Sequence, residues 1–498
     1  MKPSIYQQDV FAHIDAQMIG KPADAAADQG NAIIEAVAGS GKTTTLVQAL
    51  ERVRHPAIFL AFNKSIAEEL KKRVPSNVQA RTFHSLCFRP VLTAIGAKDI
   101  NTSKLMQITK FGMPMADLAM YGAFVRKIIG LARSDGLGAL KPASEDNFLA
   151  LVEQHDLTLE HESATIEKGV RWAQQMLETS NESRDIDFDD LLYFAVLKGI
   201  ALPKFQWVFV DEAQDTNAIQ RAILKKILAP GGRLIAVGDP AQAIYGFRGA
   251  DSDALELIAK EFAPCVRLPL SVTYRCPKLV TEMAKKYVPA IQARLGAPDG
   301  QIDNYNEKWE LTDLGSHDLV VCRTTKPLLD LGYRLMRAKI PLRIMGRDIG
   351  EGLIALITKC DGGTGFEDFL GSLSRWEIRE SEKALAKGNE AKAEAISDKA
   401  GALVMLASAL PETERTVEAL IGIIQALFTD QNSRITLATI HKAKGLENDT
   451  VWWLNSSACP SRWAKQLWQK QQESNLMYVA ITRAKNRLCL IELPVKGK

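Results

Sequence analysis

Short runs rich in apolar residues recur along the chain, and most are followed by a segment whose apolar residues have helical spacing. Such runs lie at 33–37, 57–61, 207–210 and 234–237, and a second set lies at 318–322, 435–438 and 450–454. Runs that do not alternate with polar residues are typical of strands buried on both faces of a parallel sheet. The pattern therefore predicts an α/β protein built on parallel sheets.

Two long stretches lack this alternation and show only helical spacing. The pattern predicts two α/β domains, each interrupted by a helical insertion. The first domain is predicted at 1–87 and 186–268 with its insertion at 88–185; the second is predicted at 269–350 and 434–498 with a short insertion at 351–433. The Ala/Glu/Lys-rich part of the second insertion, 377–399, is most simply a solvated helix or hairpin. The Trp452–Trp453 pair is most simply part of a buried strand.

Composition narrows the choice of function classes. With 46% hydrophobic and 24% charged residues the chain has a globular composition, and a net charge of only +3 indicates that any nucleic-acid site is a local groove. Its seven cysteines form no C-x-x-C pair, which disfavours zinc, iron–sulfur and disulfide frameworks. Because there is neither a signal-like start nor a long apolar run, we expect a cytoplasmic protein, nucleoid-associated or nuclear.

The segment Ala-Val-Ala-Gly-Ser-Gly-Lys-Thr at 36–43 follows the first apolar run and precedes a helical pattern. Backbone N–H groups of such a loop can surround phosphates, and the helix N-terminus adds positive potential. Lys42 would reach the β- and γ-phosphates, and the Thr43 hydroxyl would coordinate Mg²⁺. Ala36 stands at the first position of the pattern, where glycine is usual.

An acidic segment, Asp-Glu-Ala-Gln-Asp at 211–215, comes directly after the apolar run 207–210. There Asp211 would hold the metal, and Glu212 would accept a proton from the attacking water. The alternative is a helix N-terminus whose dipole favours acidic residues. The strand before the segment and the phosphate loop upstream favour ATP hydrolysis.

These two motifs and five others resemble, in sequence order, the UvrD/Rep branch of superfamily 1 helicases. The others lie at 6–11, 237–250, 273–277, 439–447 and 478–485. The resemblance implies two RecA-like P-loop NTPase domains, ATP and Mg²⁺ as cofactors, and single-stranded DNA, including tailed duplex, as the partner. The Phe-Asn-Lys form at 62–64 is closer to the F-box helicase group.

The resemblance also assigns roles in nucleotide handling. Gln7, with Gln8 as the second choice, would read adenine, and Gln242 would sense the γ-phosphate. Tyr274 would stack on adenine, while Arg275 and Arg483 would reach the γ-phosphate; a surface salt bridge is the alternative for either arginine alone. The residues placed around ATP are Gln7, Ala36, Val37, Ala38, Gly39, Ser40, Gly41, Lys42, Thr43, Thr44, Tyr274, Arg275, Gly445, Glu447 and Arg483.

Binding of single strands requires aromatic faces for bases and donors for phosphates. The candidate DNA contacts are Asn63, Lys64, Thr82, His84, Tyr245, Phe247, Arg248, Thr439 and His441. Phe83 and Leu86 are instead expected to pack in the core and not to contact DNA. The segment Asp-Phe-Asp-Asp-Leu-Leu at 187–192 resembles a further family motif, although its acids are more typical of a solvated turn.

We therefore expect an ATP-dependent single-stranded DNA translocase or helicase, 3′→5′ by resemblance. The alternative is an ATP-gated nucleic-acid-binding module that senses DNA ends or remodels a partner complex with little unwinding. A protein that loads or activates the motor is compatible with either function. The short second insertion, and the end of the sequence soon after Arg483 where larger relatives place a strand-separating hairpin, favour translocation over unwinding.

Overall fold

The computed structural model describes residues 3–19, 30–61, 63–155, 157, 159, 161, 163–244, 253–363, 365–386, 390–428, 435–462, 464 and 466–493. The chain divides into two compact units, Met1–Val272 and Thr273–Lys498. The division falls at Val272, whereas the boundary predicted from the sequence lies at 268.

Unit 1 contains a six-stranded sheet in which all neighbouring strands are parallel. Its strands are β1 (Asn31–Ala36), β2 (Ala57–Leu60), β3 (Val78–Arg81), β4 (Phe205–Val210), β5 (Leu228–Gly238) and β6 (Cys265–Leu270). Their order across the sheet is β3-β2-β4-β5-β1-β6. The apolar runs of the sequence therefore form the interior of the sheet.

Helices cover both faces of this sheet. They are α1 (Ile5–Ile19), α2 (Lys42–Leu50), α3 (Lys64–Lys71), α4 (Phe83–Ile95), α5 (Lys104–Gly112), α6 (Met115–Asp135), α7 (Glu145–Gln154), α8 (Ile166–Glu182), α9 (Phe188–Leu197), α10 (Ala218–Ile227) and α11 (Ala254–Glu261). Because successive strand residues point to opposite faces, Ile33 joins one hydrophobic core and Ile34 the other. Between β3 and β4 the chain is helical, from α4 to α9.

Unit 2 contains a second six-stranded sheet, also parallel throughout, with the order β11-β12-β10-β13-β14-β9. Its strands are β9 (Gln301–Asn306), β10 (Leu319–Cys322), β11 (Leu342–Ile344), β12 (Ile435–Thr439), β13 (Asn448–Leu454) and β14 (Ala484–Ile491). Two short strands, β7 (Val272–Thr273) and β8 (Gln292–Ala293), pair separately. Trp452 and Trp453 are buried in β13, which confirms the strand predicted for them.

The helices of unit 2 are α12 (Lys278–Lys285), α13 (Lys326–Arg337), α14 (Arg347–Cys360), α15 (Phe366–Ala386), α16 (Glu390–Ala409), α17 (Val417–Leu427) and α18 (Leu467–Ile481). The described part of 377–399 is helical, as predicted, and lies in α15 and α16. One side of this helix pair is not solvated, because Ala384, Ala393 and Ile396 form a small buried cluster.

The two parallel sheets confirm the predicted α/β fold class, with two RecA-like domains. Among the described helices, none is both long and apolar enough to cross a membrane.

Candidate nucleotide and nucleic-acid sites

The loop between β1 and α2 has the conformation that a phosphate-binding loop requires. Gly41, which precedes the first residue of α2, has φ +78°, a left-handed conformation that favours glycine. The backbone N–H of Val37 donates to the Leu270 carbonyl on β6 at 3.0 Å, which fixes the start of the loop. The Ser40 hydroxyl is buried and has no hydrogen-bond partner in the described part of the chain. An unpaired buried hydroxyl in this loop fits a phosphate oxygen as its partner.

Lys42, the first residue of α2, is directed at the acidic segment that follows β4. Its Nζ lies 3.2 Å from Glu212 Oε1, and its side chain is only 9% exposed. Burial favours the neutral amine, but the charges of Glu212, Asp239 and Asp211 outweigh this effect and raise the pKa of Lys42. Lys42 is therefore a buried cation that pairs with the Glu212 carboxylate.

Glu212 has the left-handed backbone conformation, with φ +52°. A residue other than glycine loses about 1–2 kcal/mol in this conformation, so the surrounding structure must hold it there. Strain of this kind is concentrated at functional sites, and here it accompanies a carboxylate that contacts the phosphate-loop lysine.

Thr43 and Asp211 meet through a hydrogen bond of 2.8 Å from the Thr43 hydroxyl to Asp211 Oδ2. Burial and the neighbouring charge of Glu212 raise the pKa of Asp211 to about 6. A hydroxyl and a carboxylate are the oxygen ligands that Mg²⁺ prefers in proteins. The two residues assigned to the metal thus lie together and fit Mg²⁺.

A chain of hydrogen bonds leads from Glu212 to Gln242. The Gln214 amide donates to Glu212 Oε2, while its Oε1 accepts from the Asp239 backbone N–H at 3.0 Å. Gln242 Nε2 in turn donates to Asp239 Oδ2 at 2.6 Å. Sequence reasoning assigned no role to Gln214 or Asp239, although both lie inside the motifs that carry the family resemblance.

Of the two glutamines considered for adenine, the structure brings Gln7 to the loop. Gln7 is 6% exposed, and its Nε2 donates to Thr45 Oγ1 in α2 at 2.8 Å. Gln8 is exposed and its amide donates to the Pro3 carbonyl. The other loop residues, Ala36, Ala38, Gly39 and Thr44, lie between the end of β1 and the first turn of α2.

Within unit 2, Arg275 is held by Glu447. Arg275 Nε donates to Glu447 Oε2 at 2.6 Å, and its Nη1 donates to the Thr482 carbonyl at 3.3 Å. Glu447 also pairs with Lys485 at 2.9 Å, a residue that sequence reasoning did not assign to the nucleotide. Burial would raise the pKa of Glu447, but Arg275 and Lys485 outweigh it and lower that pKa. Glu447 is therefore an anion in this arrangement.

Arg483 is 1% exposed. Its guanidinium donates to the carbonyls of Val479 at 2.9 Å and Leu446 at 3.1 Å. Leu446 lies between Gly445, which has φ +89°, and Glu447. Four of the residues assigned to the nucleotide in unit 2 are thereby brought together, and Tyr274 adjoins Arg275 as a half-buried side chain.

A groove of about 820 Å³ in unit 1 is lined by all four candidate DNA contacts from the early motifs, Asn63, Lys64, Thr82 and His84. Two of them also start helices. Asn63 Oδ1 accepts from the Ile66 N–H at the start of α3, and Thr82 Oγ1 accepts from the Ser85 N–H at the start of α4. Burial lowers the pKa of His84, so this imidazole is neutral at pH 7.

Further groove residues escaped sequence reasoning. They include two exposed aromatic side chains, Phe88 on α4 and Phe188 on α9, which are 37% and 55% exposed, and two arginines, Arg81 and Arg89. Phe83 and Leu86, by contrast, are buried as predicted. Aromatic faces next to basic side chains are the combination that binds single strands.

The solvated turn predicted at 187–192 is wrong. Asp187 and Asp190 form reciprocal caps at the start of α9, and Asp190 is fully buried. The sequence signal for Phe188 was present in this motif, but the acids around it were judged as isolated surface charges.

Thr439 and His441 line a second cavity, of about 430 Å³, within unit 2. Arg323, Thr324 and Thr325, at the start of α13, line the same cavity and were not identified from the sequence. Tyr245, Phe247 and Arg248 lie outside the described residues.

Comparisons with known proteins agree with the two-unit architecture. A protein-family model described as the UvrD/REP helicase N-terminal domain matches residues 21–263. A second family model, described as the UvrD-like helicase C-terminal domain, matches residues 375–493. The ATP-dependent DNA helicase PcrA of Bacillus subtilis is 26% identical over 52% of this chain and 37% of its own length. The same-named protein of Staphylococcus aureus (strain Mu50) is 28% identical over 52% of this chain and 38% of its own.

The F-box DNA helicase protein 1 of Schizosaccharomyces pombe is 24% identical, over 92% of this chain and 55% of its own length. This alignment agrees with the F-box-like form of the motif at 62–64. The chain thus spans little more than a third of the bacterial relatives and about half of the yeast protein. With both domain models matched and two parallel α/β units that carry the motifs, the chain belongs to the UvrD/Rep-type family of superfamily 1 DNA helicases.

Proposed function

We propose that this protein is an ATP-dependent translocase on single-stranded DNA, moving 3′→5′, with helicase activity on tailed duplexes. One observation supports this proposal above the others: the hydrogen-bonded path from Lys42 through Glu212, Gln214 and Asp239 to Gln242. The path joins the phosphate loop to the motif at 237–250, which by resemblance also contacts bases. A link of this kind couples nucleotide state to strand contact.

In the proposed hydrolysis, Lys42 neutralises charge on the β- and γ-phosphates, and Glu212 accepts the proton of the attacking water. Thr43 and Asp211 hold Mg²⁺, which supplies charge neutralisation on the phosphate oxygens when it is bound. Gln242 senses the γ-phosphate, and Arg275 and Arg483 provide the remaining positive charge there. Gln7 selects adenine.

In the proposed strand path, bases stack on Phe188 and Phe88 while Lys64, Arg81 and Arg89 contact phosphates. None of these groups distinguishes one base from another, so binding is sequence-independent. Thr439 and His441, with Arg323 at the same cavity, are proposed to contact the strand in unit 2.

The alternative, an ATP-gated binding module, requires little turnover. The Glu212 carboxylate beside Lys42 and the paired Thr43 and Asp211 favour turnover, since a module of that kind has no need for a positioned base.

The test is the ATP hydrolysis rate with and without single-stranded DNA. We expect strong stimulation by oligothymidylate, weaker stimulation by the matched RNA, and unwinding of 3′-tailed but not of 5′-tailed or blunt duplexes. An ATPase rate that no nucleic acid changes would overturn the motor. Stimulation without unwinding of any duplex would leave a translocase that does not separate strands.

A further inference from the structure

Four charged side chains are buried together under the first turn of α9. Lys104 Nζ lies 2.6 Å from Asp190 Oδ2, and Arg133 Nη1 donates to Asp187 Oδ2 at 2.8 Å. Arg133 Nη2 also lies 3.1 Å from Asp190 Oδ1. Lys104, Arg133 and Asp190 are at most 1% exposed. With two cations and two carboxylates, this cluster carries no net charge.

The cluster joins α9 to three other helices. Lys104 begins α5 and Arg133 lies in the last turn of α6, while Ser180 of α8 contributes its carbonyl to Lys104 and its hydroxyl to Arg133. The two carboxylates lie at the start of α9, Asp187 as the residue that precedes it and Asp190 in its first turn, and each accepts the backbone N–H of the other residue. Both cations thus bind the two carboxylates that cap the start of α9.

Net stabilisation is a weak explanation for such a cluster. Removing two ion pairs from water costs several kcal/mol per ion, and apolar residues of similar volume often replace buried pairs without loss of stability. What the charges add is direction, since each hydrogen bond requires its partner at one place. The cluster therefore fixes where α9 begins.

Phe188, the first residue of α9, directly follows Asp187 and lines the groove with 55% of its side chain exposed. Leu191, one turn later, lines the same groove. The groove is also lined by α4, which carries Phe88 and Arg89 and packs against α9. Any shift of the first turn of α9 changes the separation of Phe188 from α4.

We infer that Lys104 and Arg133 are positioning residues for strand binding, which hold Phe188 at the groove by fixing the two carboxylates that start α9. This inference rests on the proposed function, because it assigns to the groove the role of binding single-stranded DNA. The helical segment that supplies both cations thereby controls affinity for DNA without lining the groove.

The test variant is Lys104→Met with Asp190→Asn. It removes one charge of each sign, and the asparagine oxygen can still accept the Asp187 N–H. We expect the Kd for fluorescein-labelled oligothymidylate, measured by anisotropy without nucleotide, to rise at least about fivefold, as for loss of one base–aromatic stack. The KM for ATP and the hydrolysis rate without DNA should not change.

The control is Lys168→Met with Asp117→Asn, which makes the same residue changes at a more exposed bridge. It removes a Lys–Asp bridge of 2.7 Å in the same helical segment, between α8 and the first turn of α6. This bridge lies about 24 Å along α6 from Arg133. The control should bind DNA like the wild type, and a matching loss of affinity in both variants would overturn the inference.

A double-mutant cycle with Phe188→Ala shows whether the cluster acts through this side chain. If it does, the charge-pair variant adds no further loss of affinity in the Phe188→Ala background. Additive losses would overturn the inference. If the charge-pair variant fails to fold, Asp187→Asn replaces it in the same cycle, because it keeps the capping oxygen and loses only the charge that faces Arg133.

The wild type separates the two hypotheses. If wild-type protein does not bind single-stranded DNA, both the proposed function and this inference fail. If it binds and the charge-pair variant binds equally well, the inference alone fails.

Discussion

The phosphate loop and the groove of unit 1 use their motif residues in opposite ways. At the loop, residues of one motif contact those of another directly, as in Lys42 with Glu212 and Thr43 with Asp211. At the groove, Asn63 and Thr82 use their side-chain oxygens to start helices, and much of the exposed surface comes from residues that were not assigned as DNA contacts, such as Phe88 and Phe188. In the first region, the motif residues therefore supply the chemical groups themselves. In the second region, they mainly determine the local backbone structure.

The largest expected effect comes from a comparison of two substitutions, one at a lysine of each region. Lys42→Ala removes the cation at the phosphates and should lower kcat for ATP hydrolysis by at least about 100-fold, as for loss of one transition-state donor. Lys64→Ala, in the groove, should instead weaken DNA binding. It should also make the slope of log K for DNA binding against log[salt] shallower by about 0.7. Steady-state ATPase assays and salt titrations measure both. If Lys64→Ala also caused a large fall in the ATP hydrolysis rate without DNA, the two regions would not have separate functions, which would contradict the comparison.

The second expected effect tests the aromatic wall of the groove. Phe188→Ala should cost about 1–3 kcal/mol of binding, roughly 5- to 150-fold in Kd for single-stranded DNA, because a stacking face is lost. Affinity should fall more than basal hydrolysis. Phe111→Ala is the control, since Phe111 is 80% exposed on α5 and does not line the groove. Equal effects of both substitutions would remove the special role of Phe188.

A smaller effect is expected at the aromatic residue of α4. Phe88 is less exposed than Phe188, at 37%, so it offers less surface to a base. Phe88→Ala should weaken DNA binding by about 1 kcal/mol, the lower limit for a stacked base. If Phe88→Ala costs more affinity than Phe188→Ala in the same anisotropy assay, the main stacking surface lies on α4.

The smallest effect on DNA is expected at a capping residue. Thr82→Ala should lower the free energy of unfolding by about 1 kcal/mol through loss of the α4 cap, while Thr82→Ser should preserve it. Urea unfolding measures the stability of each variant, and anisotropy measures its affinity. A large loss of affinity in Thr82→Ser would show that Thr82 contacts the strand through its methyl group, beyond its role as a cap.

Most of the sheet interior could be predicted from the sequence, but its edges could not. β2 and residues 207–210 of β4 are continuous apolar runs because both faces of the sheet are buried there. The edge strands β3, β6, β9 and β11 escaped prediction. Edge strands carry more polar and half-buried residues, such as those of β9, so they lack the continuous apolar signal.

The contacts of Lys42 with Glu212 and of Thr43 with Asp211 were predictable because these residues are clustered in short motifs whose residue types determine their chemistry. The groove and the charge cluster beneath α9 were not, since they depend on distances between segments far apart in sequence. Lys104 and Asp190 are 86 residues apart, and nothing local to either residue indicates that burial pairs them. A run of acidic residues can also be buried instead of solvated, as the wrong prediction at 187–192 demonstrates.

The most direct test of the proposed motor follows its movement along single strands of increasing length. Oligothymidylates with a fluorophore at the 5′ end are mixed with protein, and ATP starts a single round of movement in the presence of a trap. We expect a delay before the signal that grows in proportion to oligonucleotide length, and no such delay when the fluorophore is at the 3′ end. A signal whose timing is independent of length at both ends would contradict ATP-driven translocation.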